Sequence, residues 1–343
     1  MQDITKLSLE ELEDKLKGSG AKGYHASQIF SWIYNKATLD FAQMSDLPKD
    51  LREKLKEKFI ITGLKVAKLR ESSDGTKKIL FRLQDANLIE AVIIPSKERV
   101  TGCVSTQVGC KFACRFCASG QGGFKRNLTF AEIIGEVLYL KKEALPGKLT
   151  HVVFMGTGEP LDNYAEVMKA VRIINSPSAF NIGARRITIS TSGIIPGIQK
   201  LSGEGLQIEL SVSLHAADEQ LRSKLMPVNK IYPLKELINT CKKYSLDTNR
   251  QVTLEYILIK GVNSELKDAQ DLKKLLNGFP LAKINLIPSN VIKELNIEPP
   301  GRPEILLFKE YLVKNGVNVT LRRERGGDIE AACGQLRLKY AEK

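Results

Sequence analysis

The stretch "VTGCVSTQVGCKFACRFC", residues 100–117, joins a strand-like segment to three closely spaced cysteines. We predict a strand over Val100–Thr106, and Cys110, Cys114 and Cys117 follow it with the spacing C-x3-C-x2-C. Three thiolates in one short loop can hold a metal centre while leaving a coordination position open. The loop after this strand is therefore the first candidate for a functional site.

Strands and helical stretches alternate along the chain from about residue 98 onward. The strand-like segments are Val100–Thr106, Thr150–Met155, Arg186–Ser192, Gln207–Leu214, Thr253–Ile259 and Lys283–Pro288. Helical stretches such as "TFAEIIGEVLYLKKEA" (129–144) and "YAEVMKAVRIIN" (164–175) lie between them. Such alternation predicts parallel strands with crossover helices. We therefore predict an α/β fold built on a partial (β/α)6 barrel of the TIM type, with a last strand in "VNVTLRRE" (317–324).

Polar and glycine-rich clusters follow these strands at their carboxyl ends. They are the cysteine triplet, "GTGEP" (156–160), Ser190 with Thr191, "SLH" (213–215) and "IPSN" (287–290). The carboxyl ends of the strands in a (β/α) barrel lie at one face, where enzymes of this architecture keep their chemistry. We therefore expect the five clusters to form one site.

Residues 1–95 show a different pattern and are expected to form a small helical and β accessory domain. Ser8 and Glu11 have the spacing of a capping box ahead of apolar residues at helical intervals. Further helices are predicted in "ASQIFSWIYNK" (26–36) and "PKDLREKLKEKF" (48–59), and strands in "KKILFRL" (77–83) and "LIEAVIIP" (88–95). Such a lysine-rich unit suits RNA binding, and a solvated helical cap is the alternative. A barrel core over 96–300 and a C-terminal part over 301–343 complete the predicted domains.

The charge of the chain points to a polyanionic partner. Its 343 residues include 52 Lys and Arg against 39 Asp and Glu, which gives a net charge of +13. Excess positive charge favours nucleic acid, and a merely basic surface is the alternative. Six cysteines in so long a chain do not suit a secreted disulfide scaffold, and no signal peptide or membrane-length apolar run is present. We expect a cytoplasmic protein that does not engage a membrane.

Three interpretations of the cysteine triplet remain open from its spacing. A structural zinc site usually has four ligands, so it would need a histidine such as His151 or His215 beside the three cysteines. A [4Fe–4S] cluster takes one cysteine per iron, so three cysteines leave the fourth iron free for a small molecule. A chance grouping of thiols is the third interpretation. The spacing favours iron–sulfur over zinc.

The C-x3-C-x2-C loop after the first barrel strand resembles the cluster motif of radical S-adenosylmethionine (SAM) enzymes. This resemblance implies a [4Fe–4S] cluster held by Cys110, Cys114 and Cys117, with SAM on its fourth iron. "GTGEP" resembles the second motif of that superfamily, which implies that Gly158 and Glu159 contact the methionine part of SAM. Taken alone, this motif is weak because it lacks the third glycine of a dinucleotide-binding loop.

Longer stretches resemble one family in that superfamily, the RlmN-type RNA methyltransferases that modify C2 of adenine. They are "CVSTQVGC" (103–110), "FKRNLTFAEIIGEV" (124–137), "FMGTGEPLDNY" (154–164), "ITISTSGIIPGI" (187–198), "SVSLHAADEQLRSKLMPVN" (211–229), "INLIPSN" (284–290) and "RRERGGDIEAACGQL" (322–336). The resemblance extends over nearly the whole chain. It implies methylation of C2 of adenosine 2503 in 23S ribosomal RNA, and of adenosine 37 in some transfer RNAs.

The related Cfr-type enzymes methylate C8 of adenine and are the alternative within the same chemistry. They read G-E-A, S-T-I-G and I-R-x-N where this chain has "GEP" (158–160), "STSG" (190–193) and "IPSN" (287–290). They also carry an additional cysteine where this chain has Val108. All four differences favour C2. One departure from the C2 enzymes is Thr157, where many members have methionine.

The resemblance implies three reacting residues. Cys333 in "AACGQL" (331–336) would take a methyl group from a first SAM and become S-methylcysteine, and a radical from a second SAM would join that carbon to adenine. Cys103 would release the product by forming a transient disulfide with Cys333. Without the resemblance, buried apolar thiols would be the better interpretation of both cysteines. Glu90 would accept the ring proton, although strand alternation leaves open whether it points inward or to solvent.

Further contacts and partners follow from the same resemblance. SAM contacts are implied for Ser190, Ser213, Leu214, His215 and Asn290. Basic residues on both sides of the site are candidates for RNA contacts, namely Lys125, Arg126, Arg322, Arg323 and Arg325. Expected partners are 23S ribosomal RNA, transfer RNA and an electron donor such as flavodoxin or ferredoxin. The alternative from another class is a zinc-stabilised RNA-binding protein without catalysis.

Overall fold

The computed structural model describes residues 1–17, 20–144, 148–290, 297–322 and 325–331. The strands are β1 (Gln2–Asp3), β2 (Phe59–Ile60), β3 (Lys65–Glu71), β4 (Lys77–Arg82), β5 (Leu88–Pro95), β6 (Val100–Cys103), β7 (Gln107–Gly109), β8 (Phe124–Asn127), β9 (Leu149–Phe154), β10 (Ile187–Thr191), β11 (Glu209–Ser213), β12 (Val252–Leu258), β13 (Ala282–Pro288) and β14 (Asn318–Leu321). The α-helices are α1 (Leu9–Leu16), α2 (Gly23–Phe30), α3 (Lys49–Lys58), α4 (Phe130–Glu143), α5 (Tyr164–Asn175), α6 (Ile195–Ser202), α7 (Glu219–Leu225), α8 (Leu234–Thr248), α9 (Leu266–Leu275) and α10 (Arg302–Lys314).

Ten strands pair into one sheet in the order β14-β13-β12-β11-β10-β9-β6-β5-β4-β3. In this sheet, each pair of neighbouring strands from β6 through β9 to β14 is parallel. β7 and β8 lie outside it and pair with each other. Helices connect these strands, because a parallel neighbour can be reached only through a crossover. The predicted α/β fold with a barrel of parallel strands is confirmed, and the last strand predicted near residue 320 is β14.

The helices around the barrel form where the sequence carries both a start signal and an apolar face. α4 begins after Thr129, which forms a reciprocal capping box with Glu132. Its inward face buries Ile133, Val137 and Leu140. At the start of α5, the side-chain amide of Asn163 donates to two backbone carbonyl oxygens beside the first barrel strand. These contacts fix the loops at the carboxyl ends of the strands.

The sheet continues beyond the barrel through an antiparallel segment. β5 pairs antiparallel with β6, β4 with β5 and β3 with β4. The predicted strands at residues 77–83 and 88–95 are therefore present, joined by the turn at 84–87. β3 was not among the predicted strands, because its residues are largely exposed and carry no apolar alternation. This segment places Glu90 beside the first barrel strand.

The first 60 residues pack as a helical unit against the outside of the barrel. The capping box of Ser8 and Glu11 begins α1, as its spacing predicts. Ile29, Leu51 and Leu55 are buried in the same apolar core as the barrel helices. Within the described ranges, no helix combines the length and apolar character needed to cross a membrane.

Candidate active site

The three-cysteine loop begins at a tight backbone crossing. β7 and β8 pair antiparallel on either side of it, and the N–H of Cys110 donates to the carbonyl oxygen of Gly123 (3.1 Å). Gly109 has a positive φ of 78°, and a Cβ at this position would lie 1.8 Å from the carbonyl oxygen of Gly123. Only glycine permits this crossing, which closes the loop that carries the cysteines.

The loop is also held by the opposite wall of the barrel. The backbone N–H of Arg115 donates to the carbonyl oxygen of Leu225 at the end of α7 (2.9 Å). The ring of Phe116 packs edge-on against His215, with 4.5 Å between ring centroids. The loop after β6 and the loop after β11 are therefore in direct contact, although about 100 residues separate them in the chain.

The cysteine thiols lie close enough to influence one another. Burial raises the pKa of Cys110 to about 12, and neighbouring Cys117, Glu159 and Asp162 add to the rise. Burial also raises the pKa of Cys114, again with a contribution from Cys117. A bound cationic iron centre reverses this tendency, because it stabilises thiolates. The donor set therefore fits a metal cluster.

A site for a single metal ion requires several ligand side chains that point to one position. No group of three or more His, Cys, Asp or Glu side chains in the described part of the chain is arranged to hold one metal ion. A [4Fe–4S] cluster binds each cysteine at a different iron, so its ligands need not converge on one point. His151 lies near the opposite end of its strand, where Arg99 and Arg186 help burial to lower its pKa. The structure thus does not bring His151 to the cysteine loop.

The "GTGEP" loop docks against the segment that leads into the cysteines. The N–H of Thr157 donates to the hydroxyl of Ser105 (2.8 Å), and the N–H of Glu159 donates to the side-chain carbonyl of Gln107 (2.9 Å). Gly158 has φ 108°, and a Cβ there would lie 2.6 Å from the Cβ of Gln107. The glycine is required because the two loops touch at this point.

The carboxylate of Glu159 joins two strand ends. Its Oε1 accepts the backbone N–H of Leu161 (3.0 Å) and its Oε2 accepts that of Ser192 (2.6 Å). Burial raises its pKa, and the hydrogen bonds from Ser192, Leu161 and Thr191 oppose that rise. Glu159 therefore has a bracing role within the protein that the sequence motif did not reveal.

The other candidate SAM contacts lie at the carboxyl edge of the same strands. Ser190 lies near the end of β10, Ser213 ends β11 with Leu214 after it, and Asn290 follows β13. The backbone N–H groups of Leu214 and His215 both donate to the carbonyl oxygen of Glu255 on β12. The sequence prediction that these clusters share one edge of the sheet agrees with the strand order.

His215 is held neutral in this wall. Its Nδ1 accepts the backbone N–H of Ile257 (3.0 Å), and its backbone carbonyl accepts the side-chain amide of Asn263 (2.7 Å). Burial and the neighbouring cation of Arg222 lower the pKa of His215 to about 3. The proton of the neutral ring therefore resides on Nε2, since Nδ1 is an acceptor.

Glu90 lies on the inner side of β5, which settles the orientation that strand alternation left open. Its side chain is 3% exposed, and its Oε1 lies 2.7 Å from the Nζ of Lys78 on β4. The backbone carbonyl of Glu90 accepts the hydroxyl of Ser105 (2.7 Å), the same hydroxyl that receives the N–H of Thr157. Glu90 is thus linked to the "GTGEP" loop through one serine.

Cys103 ends β6, and its side chain is buried. It packs in a small apolar cluster with Val92, Ile329 and Ala331. Val92 lies opposite Cys103 in the β5–β6 pairing. Cys333 lies outside the described residues, yet the last described residue of the tail, Ala331, is already in contact with the cluster around Cys103.

The basic side chains that are candidates for RNA binding differ in how many hydrogen bonds they already make to other side chains of the protein. Both terminal nitrogens of Arg126 bind Glu132 (2.8 and 2.9 Å), and its Nε binds Asp85 (2.7 Å). Lys125 donates to Asn87 (3.0 Å) at an exposed position. The carboxylates that surround Arg126 leave it little capacity for phosphate. Arg323 lies outside the described residues, whereas Arg322 and Arg325 are among them.

Sequence reasoning missed three buried polar residues at this site. They are Lys78 beside Glu90, Glu136 on α4, which accepts the backbone N–H of Ser105 (3.0 Å), and Arg222 on α7. Glu136 lies among apolar residues of α4, and a charge in such a stretch was the available signal, whereas Lys78 and Arg222 lie in basic stretches and gave none.

Comparisons with known proteins agree with this geometry. Residues 104–272 match the Radical SAM superfamily, and residues 2–61 match the N-terminal domain of the ribosomal RNA large subunit methyltransferase family. The chain is 46% identical to the "probable dual-specificity RNA methyltransferase RlmN" of Thermoanaerobacter sp. (strain X514), covering all of both chains. A protein of the same name from Clostridium novyi is also 46% identical, with 99% of each chain covered.

The fold matches a crystal structure of a radical SAM methyltransferase from Sphaerobacter thermophilus. The TM-score is 0.93 at 43% identity, over 98% of this chain and 99% of the other. A parallel barrel with three cysteines on the loop after its first strand, together with these matches, defines a radical SAM enzyme. The chain belongs to the RlmN family of radical SAM RNA methyltransferases. Membership implies a [4Fe–4S] cluster and SAM as cofactors.

Proposed function

We propose that this enzyme methylates C2 of adenosine 2503 in 23S ribosomal RNA and C2 of adenosine 37 in some transfer RNAs. Both relatives named above are described as probable dual-specificity RNA methyltransferases. Within the chemistry shared with the C8 enzymes, "GEP" (158–160), "STSG" (190–193), "IPSN" (287–290) and Val108 favour C2. The excess of 13 positive charges suits a polyanionic substrate.

The residues proposed to hold the cofactors lie along one edge of the barrel. Cys110, Cys114 and Cys117 would bind three irons of the cluster. SAM would contact Gly158, Glu159, Ser190, Ser213, Leu214, His215 and Asn290. When bound, these groups supply a methyl group and a hydrogen-abstracting radical. Since both carboxylate oxygens of Glu159 already accept backbone N–H groups, its contribution to SAM binding rests on their remaining lone pairs or on its backbone.

Three residues of this chain would carry the substrate chemistry. Cys333 would bear the methyl group as S-methylcysteine and attach it to C2. Glu90 would accept the proton that leaves C2, because a carboxylate held in a buried site is a competent general base. Cys103 would then attack the sulfur of Cys333 and form a disulfide, which releases the methylated adenosine.

One observation supports this assignment more than any other. Cys103, the proposed resolving thiol, packs against Ile329 and Ala331, the segment that leads directly to Cys333. A disulfide requires Cα atoms within about 7 Å of each other, so the two cysteines must come from adjacent segments. Ala331, two residues before Cys333 in the sequence, belongs to the same cluster as Cys103, which supports the proposed disulfide.

The remaining partners follow from the same proposal. An electron donor such as flavodoxin or ferredoxin would reduce the cluster, and the protein would act in the cytoplasm. Residues 1–95 would contribute an accessory RNA-binding domain to a barrel core over 96–300, with 301–343 carrying the methyl-accepting cysteine. The base would leave its stack to reach this buried site.

Nucleoside analysis tests the proposal. The anaerobically reconstituted protein would be incubated with SAM, a reductant and unmodified ribosomal or transfer RNA, and the digested RNA compared with both methyladenosine standards. We expect 2-methyladenosine from wild type and none from Cys333→Ala. Detection of 8-methyladenosine would assign the C8 chemistry instead. Protein that cleaves SAM but leaves both RNAs unmethylated would refute the proposed substrates.

A further inference from the structure

The described end of the C-terminal tail is fastened to the turn between β3 and β4. Asp328 accepts the hydroxyl of Ser72 (2.6 Å) and the backbone N–H of Ser73 (3.2 Å). Asp74, in the same turn, accepts the backbone N–H of Gly326 (3.2 Å). These contacts join parts of the chain separated by more than 250 residues, and they hold the tail at Gly326 and Asp328.

Lys78 lies at the point where this tail passes the proposed base. Its Nζ is 2.7 Å from Oε1 of Glu90 and donates to the backbone carbonyl oxygen of Glu330 (3.1 Å). The Lys78 and Glu90 side chains are 9% and 3% exposed. An ammonium group has three donors and a buried charge needs a partner, so one cation here serves two acceptors from different segments.

We propose that Lys78 is a positioning residue that holds the carboxylate of Glu90 beside the tail backbone at Glu330, in the orientation needed to take the proton from adenine. The inference deepens the proposed function and rests on it, because it takes Glu90 as the proton acceptor and Cys333 as the methyl carrier. The proton from C2 goes to Glu90, and the carbon–sulfur bond is made and broken at Cys333.

The geometry explains why a lysine is needed at this position. Glu330 is three residues before Cys333, and it has a positive φ of 54°, so the backbone turns where Lys78 holds it. An apolar residue in place of Lys78 would remove the ion pair that orients the carboxylate of Glu90. The other fastenings of the tail, through Asp328 and Asp74, do not involve Lys78. Loss of Lys78 should therefore affect proton transfer to Glu90 more than the S-methylation of Cys333.

Lys77 provides a matched control. It is the adjacent residue on β4, it points to the other face of the sheet, and its Nζ lies 2.7 Å from Oε1 of Glu143 on α4. Both lysines thus have a carboxylate partner at the same distance, yet only Lys78 contacts Glu90 and the tail. A general effect of removing a paired lysine from this strand would appear in both variants.

The experiment separates two steps in the reconstituted full-length enzyme. S-methylation of Cys333 is measured by peptide mass spectrometry after incubation with SAM, and methylation of RNA is measured by nucleoside analysis. In Lys78→Met we expect Cys333 methylation within about 3-fold of wild type and RNA methylation lowered by about 100-fold, the size of a general-base contribution. Lys77→Met should leave both within about 3-fold. Lys78→Arg retains the charge and should methylate RNA faster than Lys78→Met.

A double variant tests whether Lys78 acts through Glu90. If it does, Lys78→Met combined with Glu90→Gln should methylate RNA no more slowly than the worse single variant. The proposal is overturned by multiplicative losses in the double variant, by unchanged RNA methylation in Lys78→Met, or by equal losses in both steps. It is also overturned if Lys78→Arg is no better than Lys78→Met. Failure of the proposed function looks different, since wild type would then lack S-methylated Cys333 or Glu90→Gln would retain full RNA methylation.

Discussion

The Nε of Arg222 donates to the carbonyl oxygen of Leu214 at a distance of 3.2 Å, although both residues are buried. The same guanidinium donates to the carbonyl oxygens of Ser213 (3.1 Å) and Ser192 (2.9 Å), and to the side chain of Asn229 (2.6 Å). Burial lowers its pKa to about 10, which still leaves it charged at neutral pH. One arginine on α7 therefore fixes the ends of β10 and β11, where SAM is proposed to bind.

Replacement of Arg222 should weaken both the fold and the SAM site. Arg222→Met removes four hydrogen bonds to buried acceptors, so we expect the free energy of unfolding to fall by about 3 kcal/mol or more. SAM affinity should fall about tenfold. Denaturant unfolding and equilibrium dialysis measure the two effects. Arg172→Met is the control, since Arg172 pairs with Glu204 at the surface and should cost less than about 1 kcal/mol. Equal losses in the two variants would contradict the bracing role.

Glu136 should make the folded protein less stable as the pH rises. It is fully buried on α4, and burial raises its pKa well above that of a free carboxyl. The folded state therefore binds a proton more readily than the unfolded chain. The associated stability is complete below the ordinary glutamate pKa of about 4.3 and is lost as the pH rises toward the folded value.

Glu136→Gln tests this relationship because it keeps an acceptor for the N–H of Ser105. The melting temperature of the variant should rise relative to wild type between about pH 5 and pH 8. The exposed Glu236→Gln on α8 should show no such trend. A constant difference between Glu136→Gln and wild type across this range would mean that Glu136 is charged in the folded protein.

Gly109→Ala should open the base of the cysteine loop. The new Cβ would meet the carbonyl oxygen of Gly123 at 1.8 Å with φ at 78°, so the β7–β8 hairpin must shift. We expect a loss of about 1–3 kcal/mol in the free energy of unfolding and a lower iron content after reconstitution. Gly122→Ala is the matched control in the same loop, because nothing lies within 4 Å of its added Cβ. Full iron content in Gly109→Ala would show that the crossing does not shape the loop.

Single replacements of Cys110, Cys114 and Cys117 by Ala should each abolish a stable cluster. On the proposal that these three thiolates hold the cluster, each is required, whereas Cys241→Ala replaces a buried thiol on α8 and should leave the cluster intact. Iron and sulfide per chain after anaerobic reconstitution measure this directly. Removal of the metal by a chelator should give the same spectrum as the three variants. Retention of iron and sulfide in any of them would exclude that cysteine as a ligand.

Patterns in the sequence were enough to predict the order of elements and the edge of the sheet at which the candidate site lies. Strand and helix patterns repeat from residue 98 onward, and parallel strands force every loop after a strand to one edge of the sheet. The cysteine spacing and "GTGEP" (156–160) could therefore be assigned to a common site without coordinates. Local capping signals such as Ser8 with Glu11 also held, because they depend only on neighbours in the chain.

Tertiary structure alone decided which charges face inward. Alternation allowed Glu90 to face either side of β5, and the pairing with β4 and β6 placed it inside beside Lys78. In the sequence, Arg222 cannot be distinguished from other basic helix residues. Its role is visible only in the fold, where its guanidinium binds the carbonyl oxygens of Ser192 and Ser213. The physical reason is that a buried charge is stable only beside a partner, and these partners come from segments distant in sequence.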